Sequence, residues 1–284
     1  MISLLALSAY ILLVSGEISF GQQAYFGIGA YISGMVTAML GWPLWLAILG
    51  GCLISGLSAL LIGILTLRLS GLYFSIATLC FAEMVRLSLF SIHFQIDIRG
   101  EKVGPNGAEG FADIRWVFEN DVSPLQFMII IYLFLSIVLI LLFILERSRT
   151  GFIMRMIGQD ALLAATQGIN VVYFKLLTSL FAGLIAGLGG CLYAHFSTYI
   201  EPNIFSVMLG VHSLAYGLIG GLGTALGPVL GVIVDIGFLE GIRVLQGYRM
   251  IFFGGLVAII LIFRPRGILD EEQVYRLKRW LRKF

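Results

Sequence analysis

Residues 123 to 145 read SPLQFMIIIYLFLSIVLILLFIL, a run in which apolar side chains follow one another almost without interruption. A helix rises about 1.5 Å per residue, so a helix of this length crosses the roughly 30 Å hydrocarbon core of a bilayer. A soluble domain needs a polar surface, and this run is too long and too apolar to leave one. The segment therefore predicts a transmembrane helix.

The composition of the whole chain points the same way. Of the 284 residues, 59% are hydrophobic and 12% are charged, whereas soluble domains have roughly 25% charged residues. The formal net charge of +2 gives no electrostatic basis for binding nucleic acid. Cys52, Cys80 and Cys191 lie in apolar runs without CxxC spacing or nearby histidines, so neither a disulfide framework nor a metal site is predicted. The N-terminus lacks a basic leader, and we interpret it as a first membrane segment rather than a signal peptide.

Further apolar segments of spanning length recur along the chain. The candidates are residues 2 to 15, 24 to 40, 44 to 67, 72 to 92, 123 to 145, 175 to 196, 207 to 222, 228 to 243 and 249 to 263. We expect an all-α, polytopic transmembrane helix bundle with about nine spans, within a range of eight to ten. Glycines recur inside these segments, and small residues let helices approach closely in lipid, so the bundle is expected to be tightly packed.

The distribution of charge predicts the orientation. Residues 264 to 284 carry seven basic and three acidic side chains, and residues 146 to 175 carry four basic and two acidic ones. Residues 93 to 122 carry six acidic and three basic ones. Because basic loops stay on the cytoplasmic side, residues 146 to 174 and the C-terminus should be cytoplasmic and residues 93 to 122 external. We expect one membrane domain over residues 1 to 269 and a basic, cytoplasmic amphipathic tail over residues 270 to 284, with a solvated charged tail as the alternative.

The longest predicted cytoplasmic segment between spans reads ERSRTGFIMRMIGQDALLAATQGINVVYFK, residues 146 to 175. Residues 155 to 166 predict one short helix, with Gly168 as a left-handed stop. Such a helix suits contact with a partner protein, although an ordinary connecting loop with an interfacial helix has the same pattern. The turn formers of GGLGTALGP, residues 220 to 228, predict either a tight loop or an unwound stretch lining a cavity.

Polar residues inside the apolar segments mark a candidate translocation path, because they are costly in a bilayer. Glu83 lies about 16 Å along its helix from Leu72, near the bilayer midplane, and should face the bundle interior. It either pairs with Arg86 or lines the path. Glu17 should lie at the interface or cap the next helix, and His212 and Asp235 are either interhelical partners or pore-lining groups. The path candidates are Gln22, Gln23, Thr78, Glu83 and His212.

Several blocks of this sequence resemble one protein family. They are SFGQQAYFGIGAY (19 to 31), LSGLYFSIATLCFAEMVR (69 to 86), GPNG (104 to 107), GGLGTALGPVLG (220 to 231), FRPRGIL (263 to 269) and the segment after residue 146. In that order they are similar to LivM-type permease subunits of branched-chain amino-acid importers of the ATP-binding-cassette (ABC) class. The resemblance implies that residues 146 to 174 couple the permease to an ATPase. The coupling candidates are Arg147, Arg149, Gly151, Arg155, Ile157, Asp160, Ala164, Ala165, Gly168 and Ile169.

The resemblance also implies a function and partners. It implies a non-enzymatic permease of the inner (plasma) membrane that carries leucine, isoleucine and valine by alternating access. The partners would be a second homologous permease, two cytoplasmic ATPases and an external substrate-binding protein. The sequence has no GxxxxGK[ST] phosphate loop, so ATP would be bound by the partner subunits, and we expect no cofactor on this chain. The alternatives are a permease for urea or short amides, and a self-contained channel or secondary transporter.

Overall fold

The computed structural model describes residues 1–66, 68–98, 101–239, 249–264 and 267–269. Within these ranges most of the chain is helical. The α-helices are α1 (Ile2–Val14), α2 (Gln22–Ala38), α3 (Leu44–Leu65), α4 (Leu72–Ser91), α5 (Trp116–Glu119), α6 (Pro124–Arg147), α7 (Arg149–Gln159), α8 (Ala161–Thr166), α9 (Val171–Ser197), α10 (Val207–Gly220), α11 (Leu226–Val232) and α12 (Arg249–Phe263). A π-helix, Ile233–Leu239, continues α11, and two short 3-10 turns cover Gly107–Glu109 and Pro202–Phe205.

Every predicted apolar segment contains a helix, which confirms an all-α, multi-pass architecture. Among the described residues, four helices, α3, α4, α6 and α9, are long and apolar enough to cross a membrane. The others are shorter, so the number of crossings stays a prediction. One departure from all-α lies in residues 93 to 122, where β1 (Ile96–Ile98) and β2 (Glu101–Val103) form an antiparallel hairpin. The predicted tail, residues 270 to 284, lies outside the described residues.

Helix α1 lies inside the bundle, although it is only 13 residues long. Its side chains from Leu4 to Leu12 are almost completely buried, and it contacts α9, α10 and α11. A helix that is apolar on all sides must be surrounded by protein or lipid. Ser8 of α1 donates a 2.8 Å hydrogen bond to the carbonyl of Ala182 in α9, so this buried polar side chain has an interhelical partner.

Helix α9 packs against α2 and α3 through glycine, as the sequence predicts. A Cβ atom on Gly190 would lie 1.9 Å from the carbonyl oxygen of Phe26, and one on Gly29 would lie 2.3 Å from that of Gly187. Ser55 of α3 donates a 2.9 Å hydrogen bond to the carbonyl of Tyr25 in α2. The backbones therefore touch, and side-chain hydrogen bonds join the helices where lipid offers no partner.

The loops are sorted between two ends of the bundle. At one end, the backbones of Phe111 and Ile200 pair, which joins residues 93 to 122 to the loop after α9. At the other end lie the start of α9, the α6–α7 junction and the turn after α10. Helix α6, 24 residues long, connects the two ends and separates them by about 36 Å. The segments predicted to be external and cytoplasmic thus lie on opposite sides.

The glycine-rich stretch from residue 220 forms a compact turn rather than an unwound cavity wall. Helix α10 ends at Gly220, whose backbone approaches Gly227 so closely that a Cβ atom would lie 1.8 Å from the Gly227 carbonyl oxygen. Leu269 donates to the carbonyl of Gly220 and accepts from the amide of Gly223. The chain after α12 therefore returns to this turn and holds it in place.

The arrangement of the two ends gives a test of topology. We expect Asn120→Cys, in a Cys80→Ser background, to react with a membrane-impermeant maleimide in right-side-out vesicles. Gln167→Cys in the same background should react only in inverted vesicles, because it lies at the opposite end of α6. Both positions are exposed in the structure, as is Cys80 in the parent chain. Labelling of position 167 from outside would overturn the orientation.

Candidate functional site

The predicted coupling segment consists of two helices rather than one. Helix α7 ends at Gln159, and Asp160 has an extended backbone that starts α8. The Asp160 carboxylate accepts hydrogen bonds from the amides of Leu162 and Leu163, both 2.9 Å long. This cap favours a new helix start over continuation of α7, so the prediction of a single helix from 155 to 166 is wrong. Gly168 has a φ of +81°, which confirms the predicted left-handed stop.

A cluster of polar side chains fixes this segment to the bundle; we call Tyr10, which is buried, and Glu146 and Arg155, which are half-buried, the hub. The Tyr10 hydroxyl donates to the Glu146 carboxylate at 2.7 Å, and the amide of Ala225 donates to the same oxygen at 2.6 Å. Arg155 donates to the carbonyl of Gly223 at 3.1 Å and to the Tyr10 hydroxyl at 3.3 Å. The hub therefore joins α1, α6, α7 and the turn after α10.

Three of the coupling candidates are buried and act in packing. Gly151 lies where α6 turns into α7, and a Cβ atom there would lie 2.1 Å from the carbonyl oxygen of Leu145. Ile157 and Ala164 are buried, while Arg155 and Ile169 are half-buried. The exposed candidates are Arg147, Arg149, Asp160, Ala165 and Gly168. These five are the ones that a partner protein can reach.

Three large apolar side chains that the sequence did not single out are exposed on α7 and α8. Leu162 is 77% exposed, Leu163 is 58% exposed, and Phe152 of α7 is also exposed. We call these three residues the apolar coupling surface. The sequence holds one signal for them, because Leu162 and Leu163 are adjacent and cannot both face inward on a helix one turn and a half long.

Glu17 lies in the loop between α1 and α2 and caps no helix. Its carboxylate is 3.1 Å from the ammonium of Lys175 in α9. Burial raises the pKa of Glu17, and the charge and hydrogen bond of Lys175 oppose that rise. This ion pair joins the loop after α1 to the start of α9, next to the coupling segment.

The three path candidates Gln22, Gln23 and Thr78 are buried within the chain. Thr78 accepts a 3.1 Å hydrogen bond from the amide of Phe20 and so supports the loop before α2. Gln22 and Gln23 are completely buried. Within the described part of the chain, none of their side-chain nitrogen and oxygen atoms has a hydrogen-bond partner. Gln23 packs against Gly210 of α10.

Glu83 does not face the interior of this bundle, so that prediction is wrong for the single chain. Its side chain is 37% exposed on the outer face of α4, and that of Arg86 is 20% exposed. Arg86 Nε donates to both carboxylate oxygens of Glu83, at 3.1 and 3.0 Å, which confirms the predicted pair. A charged group facing lipid at the centre of a bilayer costs on the order of 3 kcal/mol. This face of α4 therefore requires cover by protein or water.

His212 and Asp235 have partners within the bundle. The ring of His212 lies 4.6 Å from that of Phe253, and its Nδ1 lies 2.9 Å from the carbonyl oxygen of Met208. The Tyr216 hydroxyl donates to Asp235 in the π-helix at 2.6 Å. Both residues therefore match the prediction that they have partners on neighbouring helices. No grouping of three His, Cys, Asp or Glu side chains suited to a metal ion occurs among the described residues.

Comparison with known proteins decides the family. The family model described as "Branched-chain amino acid transport system / permease component" matches residues 1–263. The chain belongs to this permease family. Its membership and its apolar helices make it a multi-pass membrane protein of a transport-permease family.

Individual relatives of this permease include proteins with different named substrates. The LivM permease proteins of the high-affinity branched-chain amino acid transport systems of Salmonella typhimurium and Escherichia coli are each 26% identical over 279 residues. That match covers 90% of this chain and 64% of each relative. The nucleoside ABC transporter permease protein NupC of Lactococcus lactis is 27% identical over 188 residues, 63% of this chain and 59% of the relative. No solved structure matches the chain.

The Glu17–Lys175 pair predicts a pH-dependent effect on the stability of the permease. When folding raises the pKa of a carboxyl group, the stability linked to that group is fully present at pH values below its pKa in the unfolded chain. It is lost as the pH rises through the higher pKa of the folded state. Lys175→Met removes the charge that opposes the rise, so its melting temperature in detergent should fall further below the parent at about pH 8 than at about pH 5. In the control Glu17→Gln/Lys175→Met the deficit should not grow with pH. An equal deficit of Lys175→Met at both pH values would contradict the assignment.

Proposed function

We propose that this chain is one of two homologous permease subunits in an ABC importer of the inner membrane. It carries branched-chain amino acids by alternating access, driven by two cytoplasmic ATPases and supplied by an external substrate-binding protein. The observation that carries the proposal is the coupling segment: its inner side is tied to the core by the hub, and its outer side presents the apolar coupling surface.

The hub supplies a physical route for coupling. A displacement of α7 by an ATPase moves Arg155, whose hydrogen bonds end on Tyr10 of α1 and on the turn after α10. Helix α1 in turn packs against α9, α10 and α11. These hydrogen bonds involve the charged side chains of Glu146 and Arg155, and a hydrogen bond to a charged group contributes about 1.5–3 kcal/mol. The segment and the core therefore move together rather than separately.

The substrate follows from the relatives, with one alternative. Two LivM relatives that cover 90% of this chain are named for branched-chain amino acids. The nucleoside permease of Lactococcus lactis covers 63% of it, so a nucleoside is the second candidate. A self-contained channel is disfavoured by membership of a transport-system permease family.

The substrate assignment is tested by reconstitution. The chain is co-expressed with the second permease, the ATPases and the binding protein of its own gene cluster, and the complex is placed in proteoliposomes. We expect ATP-driven uptake of leucine, isoleucine and valine, and no uptake of a nucleoside or of urea above vesicles without ATP. Uptake of the nucleoside or urea alone would replace the assignment, and leucine uptake without ATPases would favour a channel or secondary transporter.

The coupling role is tested at the apolar coupling surface. Leu162→Asp/Leu163→Asp places two carboxylates where we expect an apolar interface, and interface energy concentrates in a few such anchors. The variant should reach the membrane with an unchanged melting temperature, lose at least tenfold of the co-purified ATPase, and lose ATP-driven uptake. Phe118→Asp, an equally exposed apolar residue at the other end of the bundle, serves as the control and should retain both. Normal ATPase recovery with the leucine double variant would remove the coupling role.

A further inference from the structure

A cavity of about 510 Å³ separates part of helix α6 from the rest of the bundle. Four helices form its walls: Ile11 of α1, Cys52 of α3, Val138 of α6 and Leu184 of α9 all line it. Apart from the thiol of Cys52 and the hydroxyl of Ser148, its lining side chains are hydrocarbon. The cavity is therefore an apolar space between packed helices.

Water is not suited to fill this space. The Ser148 hydroxyl donates a 2.6 Å hydrogen bond to the carbonyl of Leu145 and accepts a 3.2 Å one from the amide of Gly151, so it is already engaged. An ordered water inside a protein requires two to four polar partners. The lining of this cavity does not supply them, and it fits an apolar occupant instead.

The cavity opens on the side of α6 that faces the bilayer. Leu141 and Ile144 line it and are nevertheless 59% and 61% exposed. Among the four spanning-length helices of the described chain, α6 is the least buried, and it carries no charged side chain between Pro124 and Leu145. Unlike the charged face of α4, this surface can meet lipid without an electrostatic penalty. The occupant can therefore enter from the bilayer.

The length of the cavity matches one leaflet. Val138 and Ser148 both line it and are ten residues apart, which is about 15 Å along the helix axis. The hydrocarbon core of a bilayer is about 30 Å thick, so one leaflet contributes about half of that. An acyl chain that enters beside Ser148 would reach the middle of the membrane near Val138.

Two arginines flank the polar end of the cavity. Arg147 and Arg149 are the neighbours of Ser148, and both side chains are exposed. Within the part of the chain that the structure describes, neither guanidinium has an ion-pair partner. A guanidinium binds phosphate through paired hydrogen bonds, and basic groups at the membrane surface attract anionic lipids. The charge at this end therefore complements an anionic head group.

From these observations we propose that the cavity is a binding site for an anionic phospholipid of the leaflet at the α6–α7 end. The phosphate of the head group lies at Arg147 and Arg149, and one acyl chain fills the space between α6 and α9 as far as Val138. The site goes beyond the proposed function, since it requires neither the transported substrate nor the ATPases.

The position of the site links it to the hub. Ile11, Leu142 and Leu145 line the cavity and also line the small space next to Tyr10, Glu146 and Arg155. A bound acyl chain would support these three apolar residues from the bilayer side, where α6 otherwise lacks packing. The lipid would thereby stabilise the α6–α7 junction.

Photolabelling of the assembled complex tests the proposal. The complex is placed in phosphatidylcholine vesicles that contain a small fraction of phosphatidylglycerol with a diazirine at the end of one acyl chain. After illumination, mass spectrometry should find the label on the peptides around Val138 and Leu184, at least threefold more than with phosphatidylcholine carrying the same diazirine chain. Equal labelling by the two lipids would remove head-group selection, and absence of label from both peptides would show that a subunit closes the cavity; either result overturns the proposal.

Filling variants test the path of the acyl chain. Val138→Phe and, from the opposite wall, Cys52→Phe place a ring in the cavity and should lower the labelling of α9 at least threefold. Ile137→Phe is the matched control, because Ile137 is the exposed neighbour of Val138 and does not line the cavity. Unchanged labelling in a filling variant that assembles like the parent would overturn the proposal. The labelling pattern of the parent decides the matter even if neither filling variant assembles.

Charge variants test the head-group contact. Arg147→Gln/Arg149→Gln should abolish the preference for phosphatidylglycerol, whereas Arg68→Gln, which removes an exposed base from the loop after α3, should keep it. Lipid labelling is the readout, because Arg147 and Arg149 are also coupling candidates whose loss can affect uptake. A preference that survives in the double variant would contradict the proposed head-group site.

Discussion

The close contact of α9 with α2 and α3 is the interaction on which the other features depend. Hydrophobic association cannot hold helices together in lipid, because the tails are as apolar as the side chains. Here the contact is made by glycine, with the backbone of Gly190 against that of Phe26 and Gly29 against Gly187. At such short separation van der Waals contacts and interhelical hydrogen bonds replace the missing drive. Helix α9 of this core also contacts the short helix α1, which α10 and α11 cover on other sides.

The buried helix α1 anchors the segment that is proposed to contact the ATPases. A helix of 13 residues at the edge of the bundle would have weak anchorage, but α1 is covered on all sides and carries Tyr10 at the level of Glu146 and Arg155. Its C-terminal end also touches α7, since a Cβ atom on Gly158 would lie 2.2 Å from the carbonyl oxygen of Val14. The hydrogen bonds of the hub therefore connect the proposed ATPase contact with the buried helix α1.

The polar groups of the chain serve two different purposes. One group holds elements together: the hub joins the α6–α7 junction to the turn after α10, and Glu17 in the loop after α1 pairs with Lys175 of α9. Glu83 and Arg86 bond to each other but leave the bundle open on their side. A bilayer penalises such exposure, so this surface requires cover by protein or water.

The sequence by itself determined which segments are helices, which loops are basic and which loop is acidic. Long apolar runs have few stable alternatives in a membrane, because each backbone amide and carbonyl must bond within its own helix. It also predicted the Gly168 stop and the Glu83–Arg86 pair, since these depend on neighbours a few residues apart. The tertiary structure alone decided which sides of those helices are covered. In the structure Glu83 lies on the outer face of α4, whereas Thr78 of the same helix is buried. The chain starts a new helix at Asp160, where Ile157 is buried and Leu162 is exposed. Burial could not be predicted because it depends on contacts between segments that are remote in the chain. In a uniformly apolar sequence the inward and outward faces have similar composition, so periodicity carries no information about which face meets protein and which meets lipid.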